Sequence, residues 1–314
     1  MTTHRREFLR AVSAGVVGAT FTFRSAEASR SAFGAQNVPP ITATRLAPDL
    51  VMLSGDGGNI GLVIGADGLF MIDGGLDTRA ADLMKAVADV DSHKVATLLN
   101  THWHYDHVGS NETLGRSGTT IIAHENVKKR LGERTAFESA NRTFDPLKPE
   151  GLPKETFTTG LKRSVGKTGF IVSHVPLAHT DGDAYVFFPS HNVLQTGDLL
   201  FNGTYPVIDY STGGWIGGMA SAARLLADVG DANTKIIPGH GPLATKADLK
   251  ASHDMLATIH DRVTALIKAG KSVEEAVAAR PTKEFDEKFG QGARKPDAFV
   301  QVAYTSIQRH LAAR

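Results

Sequence analysis

From position 41 onward the chain alternates short apolar runs with breaks of glycine, aspartate and other polar residues. The runs at 50–55 (LVMLSG), 59–65 (NIGLVIG) and 68–75 (GLFMIDGG) are too short for stable helices and are bounded by turn formers. They predict a strand meander. The period then changes: over 78–90, Ala81, Met84 and Ala88 fall on one helical face, which predicts a helix. The run 95–100 (VATLLN) reads as a buried strand. A helix is expected to begin within 108–114, followed by a strand at 119–124 and a helix at 125–131. The polar stretch 133–154 reads as a long surface loop.

The second half repeats this style, with strands expected at 155–160, 170–175, 184–189 and 192–196, a helix at 221–229, and a strand within 234–241 that ends in a turn. The tail is helical. Thr245 with Asp248, and Ser272 with Glu275, have the spacing of capping boxes. Leu256, Ile259, Val263 and Leu266 form an apolar stripe for core packing, and Gly270 is a natural stop. Strands interleaved with helices place the chain in the α/β class.

Two of these strands empty into histidines. The run 95–100 continues as THWHYDH, carrying His102, His104, Asp106 and His107, and the strand at 235–237 continues as PGHG, carrying His240. His179 in LAHTDGD and Asp198 in LQTGDLLF also follow strands, and such strand ends are where α/β folds build sites. Taken singly, His179 and His240 are ordinary turn histidines and Asp198 an ordinary helix cap. Together, five histidines and two aspartates suffice for two metal ions. Imidazole and carboxylate suit Zn2+, and also Fe2+ or Mn2+. Asp73 stands in an Asp-Gly turn signal. Trp103 and Tyr105 pack beside the cluster. His93, His124, His174, His191, His253, His260 and His310 have no partner pattern and belong to surface or core.

Composition narrows the chemistry. The chain has no cysteine, which removes disulfides, thiolate nucleophiles and cysteine-rich zinc sites together. Its 34 basic and 33 acidic residues leave a formal charge of +1, so no basic field invites nucleic acid. The N-terminus reads as an address. Arg5 and Arg6 precede Phe8 and Leu9, an apolar run follows over 11–23, and Ala26-Glu27-Ala28 supplies a cleavage site. This resembles a twin-arginine export signal. The expected organisation is a signal peptide over 1–28, a linker over 29–40, and one domain over 41–314 that includes the helical tail. Its partner would be the twin-arginine export machinery, its location periplasmic or otherwise extracytoplasmic, with no stable membrane anchor after cleavage.

The motifs T-H-W-H-Y-D-H, H-T-x-G-D, T-G-D and P-G-H-G, in this order and preceded by I-D-G-G at 72–75, resemble the metallo-β-lactamase superfamily over about 46–242. The resemblance implies a four-layer αβ/βα sandwich with the site at one edge. It implies that His102, His104 and His179 hold one metal ion, that Asp106, His107 and His240 hold a second, that Asp198 bridges them, and that Asp73 orients a ligand from behind. Two zinc ions would then share a water and bring its pKa toward about 7, with Asp106 as the catalytic residue that orients the resulting hydroxide. The carboxylate in T-G-D is shared with glyoxalase-II-like thioesterases, whereas β-lactamases usually have Cys or Ser near that position. Phe201 stands where quorum-sensing lactonases usually carry tyrosine. Residues 199–218 would wall the cleft, with Asn202, Tyr205, Asp209, Tyr210 and Trp215 as substrate contacts. The expectation is an exported dinuclear-zinc hydrolase for a small-molecule ester, thioester, lactone or β-lactam. The alternatives are a mononuclear-iron persulfide oxidoreductase and a non-catalytic metal-binding module.

Overall fold

A computed structural model describes residues 39–313 apart from residue 56. The expected signal peptide and residues 29–38 of the expected linker lie outside the described residues. Strands β1 (Thr42–Ala47), β2 (Leu50–Ser54), β3 (Ile60–Gly65) and β4 (Gly68–Ile72) form the antiparallel meander. Helix α1 (Ala80–Val90) then returns the chain so that β5 (Val95–Asn100) lies parallel to β4. Two short helices, α2 (Tyr105–Val108) and α3 (Asn111–Arg116), lead to β6 (Thr120–His124), parallel to β5. Helix α4 (Glu125–Gly132) and a hairpin, β7 (Thr135–Phe137) with β8 (Arg142–Phe144), precede β9 (Glu155–Phe157). The first sheet has the order β1-β2-β3-β4-β5-β6-β9.

The second sheet is β10 (Gly160–Val165), β11 (Thr168–His174), β12 (Ala184–Phe188) and β13 (Val193–Gln195), antiparallel in sequence. After helix α5 (Ile216–Ala227), β14 (Lys235–Ile237) adds parallel to β13. The tail contributes α6 (Lys246–Lys268), α7 (Val273–Ala278), α8 (Asp286–Phe289) and α9 (Pro296–Ala312).

The central strands are apolar on both faces because both faces are covered. In β4, Phe70 and Ile72 enter a core shared with Phe170, Val172, Val186 and Phe188 of the second sheet. Leu69 and Met71, one residue out of step, pack instead with Leu83 and Val87 of α1. The same alternation splits β13 and β14. Val193 and Ile237 face the other sheet, while Leu194 and Ile236 pack with Met219, Leu256, Ile259 and Phe299 of the helices. Helix, sheet, sheet and helix make four layers, the expected αβ/βα sandwich. Each fully buried Leu, Ile, Val or Phe contributes about 1.5–3 kcal/mol of transfer free energy.

The tail follows its local signals. Both capping boxes form, the stripe Leu256, Ile259 and Val263 is fully buried, and α6 ends in paired bonds from Gly270 N to Ile267 O and Lys271 N to Leu266 O, a Schellman arrangement. Four elements differ from the sequence pattern. Strand β1 (TATRLA) is a mostly exposed edge and carries no apolar run. Strand β10 (GLKRSV) is polar and is a strand because it pairs with β11. The expected loop 133–154 contains the β7–β8 hairpin. Helix α5 starts at Ile216, ahead of the expected 221: the helix-disfavouring pair Gly217-Gly218 hides the start in the sequence, and burial of the first turn outweighs that local preference.

Candidate metal centre

The carboxyl ends of β4, β5, β11, β13 and β14 supply every residue of the cluster. Asp73 follows β4, His102 and His104 follow β5, Asp106 and His107 occupy α2, His179 follows β11, Asp198 follows β13 and His240 follows β14. The ligating side chains fall into two groups: His102, His104, His179 and Asp198, and Asp106, His107 and His240. Within each group, one nitrogen or oxygen from every residue lies within 4.8 Å of the others. Asp198 faces both. Its Oδ2 is 3.3 Å from His179 Nε2 and 3.7 Å from His102 Nε2, while its Oδ1 is 3.0 Å from His107 Nε2 and 3.4 Å from His240 Nε2. His240 Nε2 is also 3.3 Å from Asp106 Oδ2.

The far side of each ring sets which nitrogen faces inward. His107 Nδ1 donates to Asp73 Oδ2 at 2.8 Å, and His179 Nδ1 donates to the Val207 carbonyl at 2.8 Å. His104 Nε2 donates to Asp209 Oδ2 at 3.3 Å. His102 Nδ1 donates to the Thr101 hydroxyl at 3.1 Å, which itself donates to Asp73 at 2.8 Å. In the neutral form of these four rings the inward nitrogen is therefore the unprotonated one, ready to take a cation in place of a proton. His104 Nδ1 and His179 Nε2 lie only 2.8 Å apart, and His102 Nε2 and Asp198 Oδ1 are buried without a hydrogen-bond partner. A buried unsatisfied polar atom costs about 1–3 kcal/mol. A divalent cation among His102, His104 and His179 would take up their three inward nitrogens, and Asp198 Oδ1 faces the other group, so the donor set fits metal of the Zn2+, Fe2+ or Mn2+ type.

Buttressing residues hold these ligands. Asp73 is fully buried and accepts from Thr101 N at 2.7 Å besides its bonds to Thr101 Oγ1 and His107. Its φ of +65° is a left-handed conformation that aspartate tolerates better than most residues. Asp183, the last residue of H-T-D-G-D, accepts from His179 N at 2.7 Å and Thr180 N at 2.8 Å, and so closes the turn that presents His179. Gly239 permits the approach of the His240 loop, since a Cβ there would stand 2.0 Å from Asp198 Oδ1.

The two groups differ in charge. Burial drives the His102 imidazole well below its usual pKa and His179 down to about 4. Burial also opposes charge on His107 and His240, yet nearby carboxylates outweigh it. Asp198 and Asp73 hold His107 well above its usual value, and Asp198 with Asp106 holds His240 up to about 9. Asp198 sits well below the carboxylate range because His107 and His240 overcome its burial. Asp106 falls to about 2, its burial overcome mainly by the His240 hydrogen bond.

A cleft of about 460 Å³ opens onto Asp106, Asp198 and His240, walled by Tyr105, Phe137, Phe201, Thr204, Val207 and Arg294 among others. Phe137, from the β7–β8 hairpin, stacks on His104 with ring centroids 4.1 Å apart, and Phe201 stacks on His240 at 5.0 Å. Of the residues expected to touch substrate, Tyr205 reaches this wall, but its hydroxyl is committed to Asp286 at 2.8 Å. The structure does not bring Asn202, Tyr210 or Trp215 to the cleft. Asn202 is tied to the Pro242 carbonyl, Tyr210 lies under the Arg309 guanidinium, and Trp215 stacks on His310. Asp209 stands behind His104 rather than in the cleft. His93, His124, His174, His191, His253, His260 and His310 lie outside both groups. Phe137 and Arg294 were not legible as site residues. The first lies in a polar stretch, and the second is 54 positions beyond His240 in a helical tail.

Comparison with known proteins agrees with this geometry. The metallo-β-lactamase superfamily model matches residues 53–246. The chain is 24% identical over 214 residues to the 2,4-dinitroanisole O-demethylase subunit alpha of Nocardioides sp. (strain JS1661), across 66% of this chain and 60% of that one. It therefore spans less than two thirds of that relative. In fold it is similar to a metallo-β-lactamase from Pontibacter korlensis, with TM-score 0.57 at 18% identity, over 69% of this chain and 99% of the other. It is also similar to the sec-alkylsulfatase Pisa1 from Pseudomonas sp., with TM-score 0.64 at 16% identity, over 84% of this chain and 50% of the other. The family match runs through every strand end that carries a ligand, and it does so on the four-layer fold those strands build: the chain belongs to the metallo-β-lactamase superfamily.

Proposed function

We propose that this chain is an exported dinuclear-zinc hydrolase of the carboxylate-bridged, glyoxalase-II-like kind, acting on a small-molecule ester, thioester, lactone or β-lactam. The observation that carries this reading is the position of Asp198, with one oxygen toward each ligand group. When bound, two divalent ions supply a water acidified toward pKa about 7 and Lewis-acid polarisation of the substrate oxygen. The protein's own residues do the rest. Asp106, ionised far below neutral pH, can accept a hydrogen bond from the attacking water through its carboxylate and so aim it. Asp73, Asp209 and the Val207 carbonyl hold the imidazoles in the tautomers described, and Asp183 fixes the turn that presents His179. Phe137 and Phe201 shield His104 and His240 from bulk water, which strengthens electrostatic interactions at the cleft floor.

The test is metal analysis of the purified protein, followed by a hydrolysis panel on the zinc-loaded form. Nitrocefin, S-lactoylglutathione, acyl lactones and phosphodiesters are the main arms. A secondary alkyl sulfate and an aryl methyl ether join them because an alkylsulfatase and an O-demethylase are among the similar proteins. Two zinc per chain with turnover of one arm supports the proposal. One iron per chain with no hydrolysis would replace it with sulfur oxidation. Export is tested separately: changing Arg5 and Arg6 together to Lys should leave precursor in the cytoplasm, and normal export of that double variant would remove the twin-arginine part.

A further inference from the structure

Arg294 lines the same cleft as Asp198 and His240. It comes from the segment between α8 and α9, beyond the end of the family match at 246. Its side chain is half-buried, and its Nε is fully buried without a hydrogen-bond partner. Nη2 makes one long contact to the Ser139 carbonyl, at 3.5 Å, and Nη1 donates to no described residue. Among the described residues, no carboxylate lies within ion-pair distance of it. The other arginines withdrawn from solvent are paired: Arg79 with Asp82 at 2.7 Å, and Arg130 with Asp181 at 2.7 Å. A charge taken out of water without a counter-charge is unfavourable by itself, and burial presses the Arg294 pKa below its usual value.

The segment is held firmly where it stands. Tyr205 N donates to the Phe289 carbonyl at 2.8 Å, and the Tyr205 hydroxyl donates to Asp286. Gly292 lies so close to the cleft wall that a Cβ would sit 2.0 Å from Thr204 Oγ1. The guanidinium is thus placed at the cleft by packing, with most of its donors unused.

We propose that Arg294 is a specificity-determining residue that binds an oxyanion carried by the substrate, so that the substrate class is an anionic ester or a related hydrolysable anion. The inference rests on the hydrolase reading above and narrows it. The reactive group would lie over the ligand cluster while the anion pairs with Nη1 and Nη2, the end of the planar guanidinium fork that suits carboxylate, sulfate or phosphate. The neutral aromatic walls formed by Phe137 and Phe201 would take the apolar part between them.

The test reads binding rather than turnover. The purified metal-loaded protein is titrated calorimetrically with succinate, glutarate and adipate, each paired with the monocarboxylate of equal carbon number. A monocarboxylate can occupy only the metal end or only Arg294; a dicarboxylate of the right length occupies both. The wild type should bind one dicarboxylate at least about tenfold more tightly than its partner. Arg294→Gln should abolish that ratio at unchanged metal content, and Arg294→Lys should recover part of it. The ω-sulfonate and ω-phosphonate analogues identify the preferred anion, and a raised ratio for any of the three oxyanions supports the site. No raised ratio at any chain length in the wild type, or the same ratio in Arg294→Gln, would overturn the proposal. A protein inactive on every ester still reports on Arg294 in this titration. Hydrolysis without the ratio would leave the hydrolase reading in place and remove the anion site.

Discussion

At the scale of single residues, Asp198 separates a two-metal centre from two independent clusters. Its two oxygens face different groups, so Asp198→Ser should weaken the Asp106, His107 and His240 group more than the other, which keeps three imidazoles. Activity should fall by at least about 10–100-fold, the range for losing even an indirect ligand contact, and excess zinc should restore part of it by mass action. Calorimetric titration giving two zinc at unchanged affinity would show that Asp198 is not a ligand. Asp209 acts one step back, by accepting from His104 Nε2. Asp209→Ala should reduce metal affinity of the His102 group by about 10–100-fold. Asp209→Asn, whose single amide oxygen can still accept from His104 and Thr212 at the cost of the Ser211 bonds made by the other oxygen, should lose less. Equal affinity in wild type and Asp209→Ala, measured by competition with a chelator, would make Asp209 a loop anchor alone.

At the scale of elements, caps and pairings are separable from the centre. The Thr245 hydroxyl and the Asp248 carboxylate close the start of α6, 23 residues long and packed on α5 and α9. Thr245→Ala should cost about 1 kcal/mol, read as a lowered denaturant midpoint at constant slope, with bound metal unchanged. Loss of metal in that variant would mean that the tail helix couples to the centre. The β7–β8 hairpin is the opposite case. It is short, β8 is mostly exposed, and yet β7 delivers the buried Phe137 onto His104. Strands β1 and β10 share its illegibility, because edge strands exposed to solvent need no apolar alternation and exist by virtue of their neighbours' backbone hydrogen bonds.

At the scale of the whole molecule, the centre's charge couples to metal loading and pH. In the metal-free chain His102 and His179 are held neutral at pH about 7, whereas His107 and His240 are held protonated. Loading a cation into the His107 group must displace roughly two protons at neutral pH. Its affinity should therefore rise with pH at least until the proton on His240 is lost at about 9. The His102 group should load with almost no proton release from His102 and His179. Calorimetry of zinc binding in buffers of different ionisation enthalpy measures both. The linked effect on folding has the opposite direction. A raised His240 pKa stabilises the metal-free fold fully below pH about 6.5, and this contribution is lost as pH rises through about 9. Metal-loaded protein should not show that loss, since the ligand is deprotonated throughout. Proton release that is equal for both metals would remove the assigned asymmetry.

Beyond the four-layer arrangement, which the motifs' resemblance to the superfamily implied, the sequence alone determined the α/β class, the first strand meander, the tail caps and the seven ligand candidates. Each of these rests on local chemistry. Apolar runs that must be covered on both faces, Thr-x-x-Asp and Ser-x-x-Glu spacings, and histidines placed directly after strands are properties of neighbouring positions. Tertiary structure alone decided how Asp198 stands between the groups, which nitrogen of each ring faces inward, and which side chains wall the cleft. Asn202, Tyr210 and Trp215 are near Asp198 in sequence yet turned to other partners, whereas Phe137 and Arg294 arrive from a polar loop and a distant tail. The reason is physical: a cleft is the space left between packed layers, so its walls depend on which elements the burial of apolar surface brings together, not on distance along the chain.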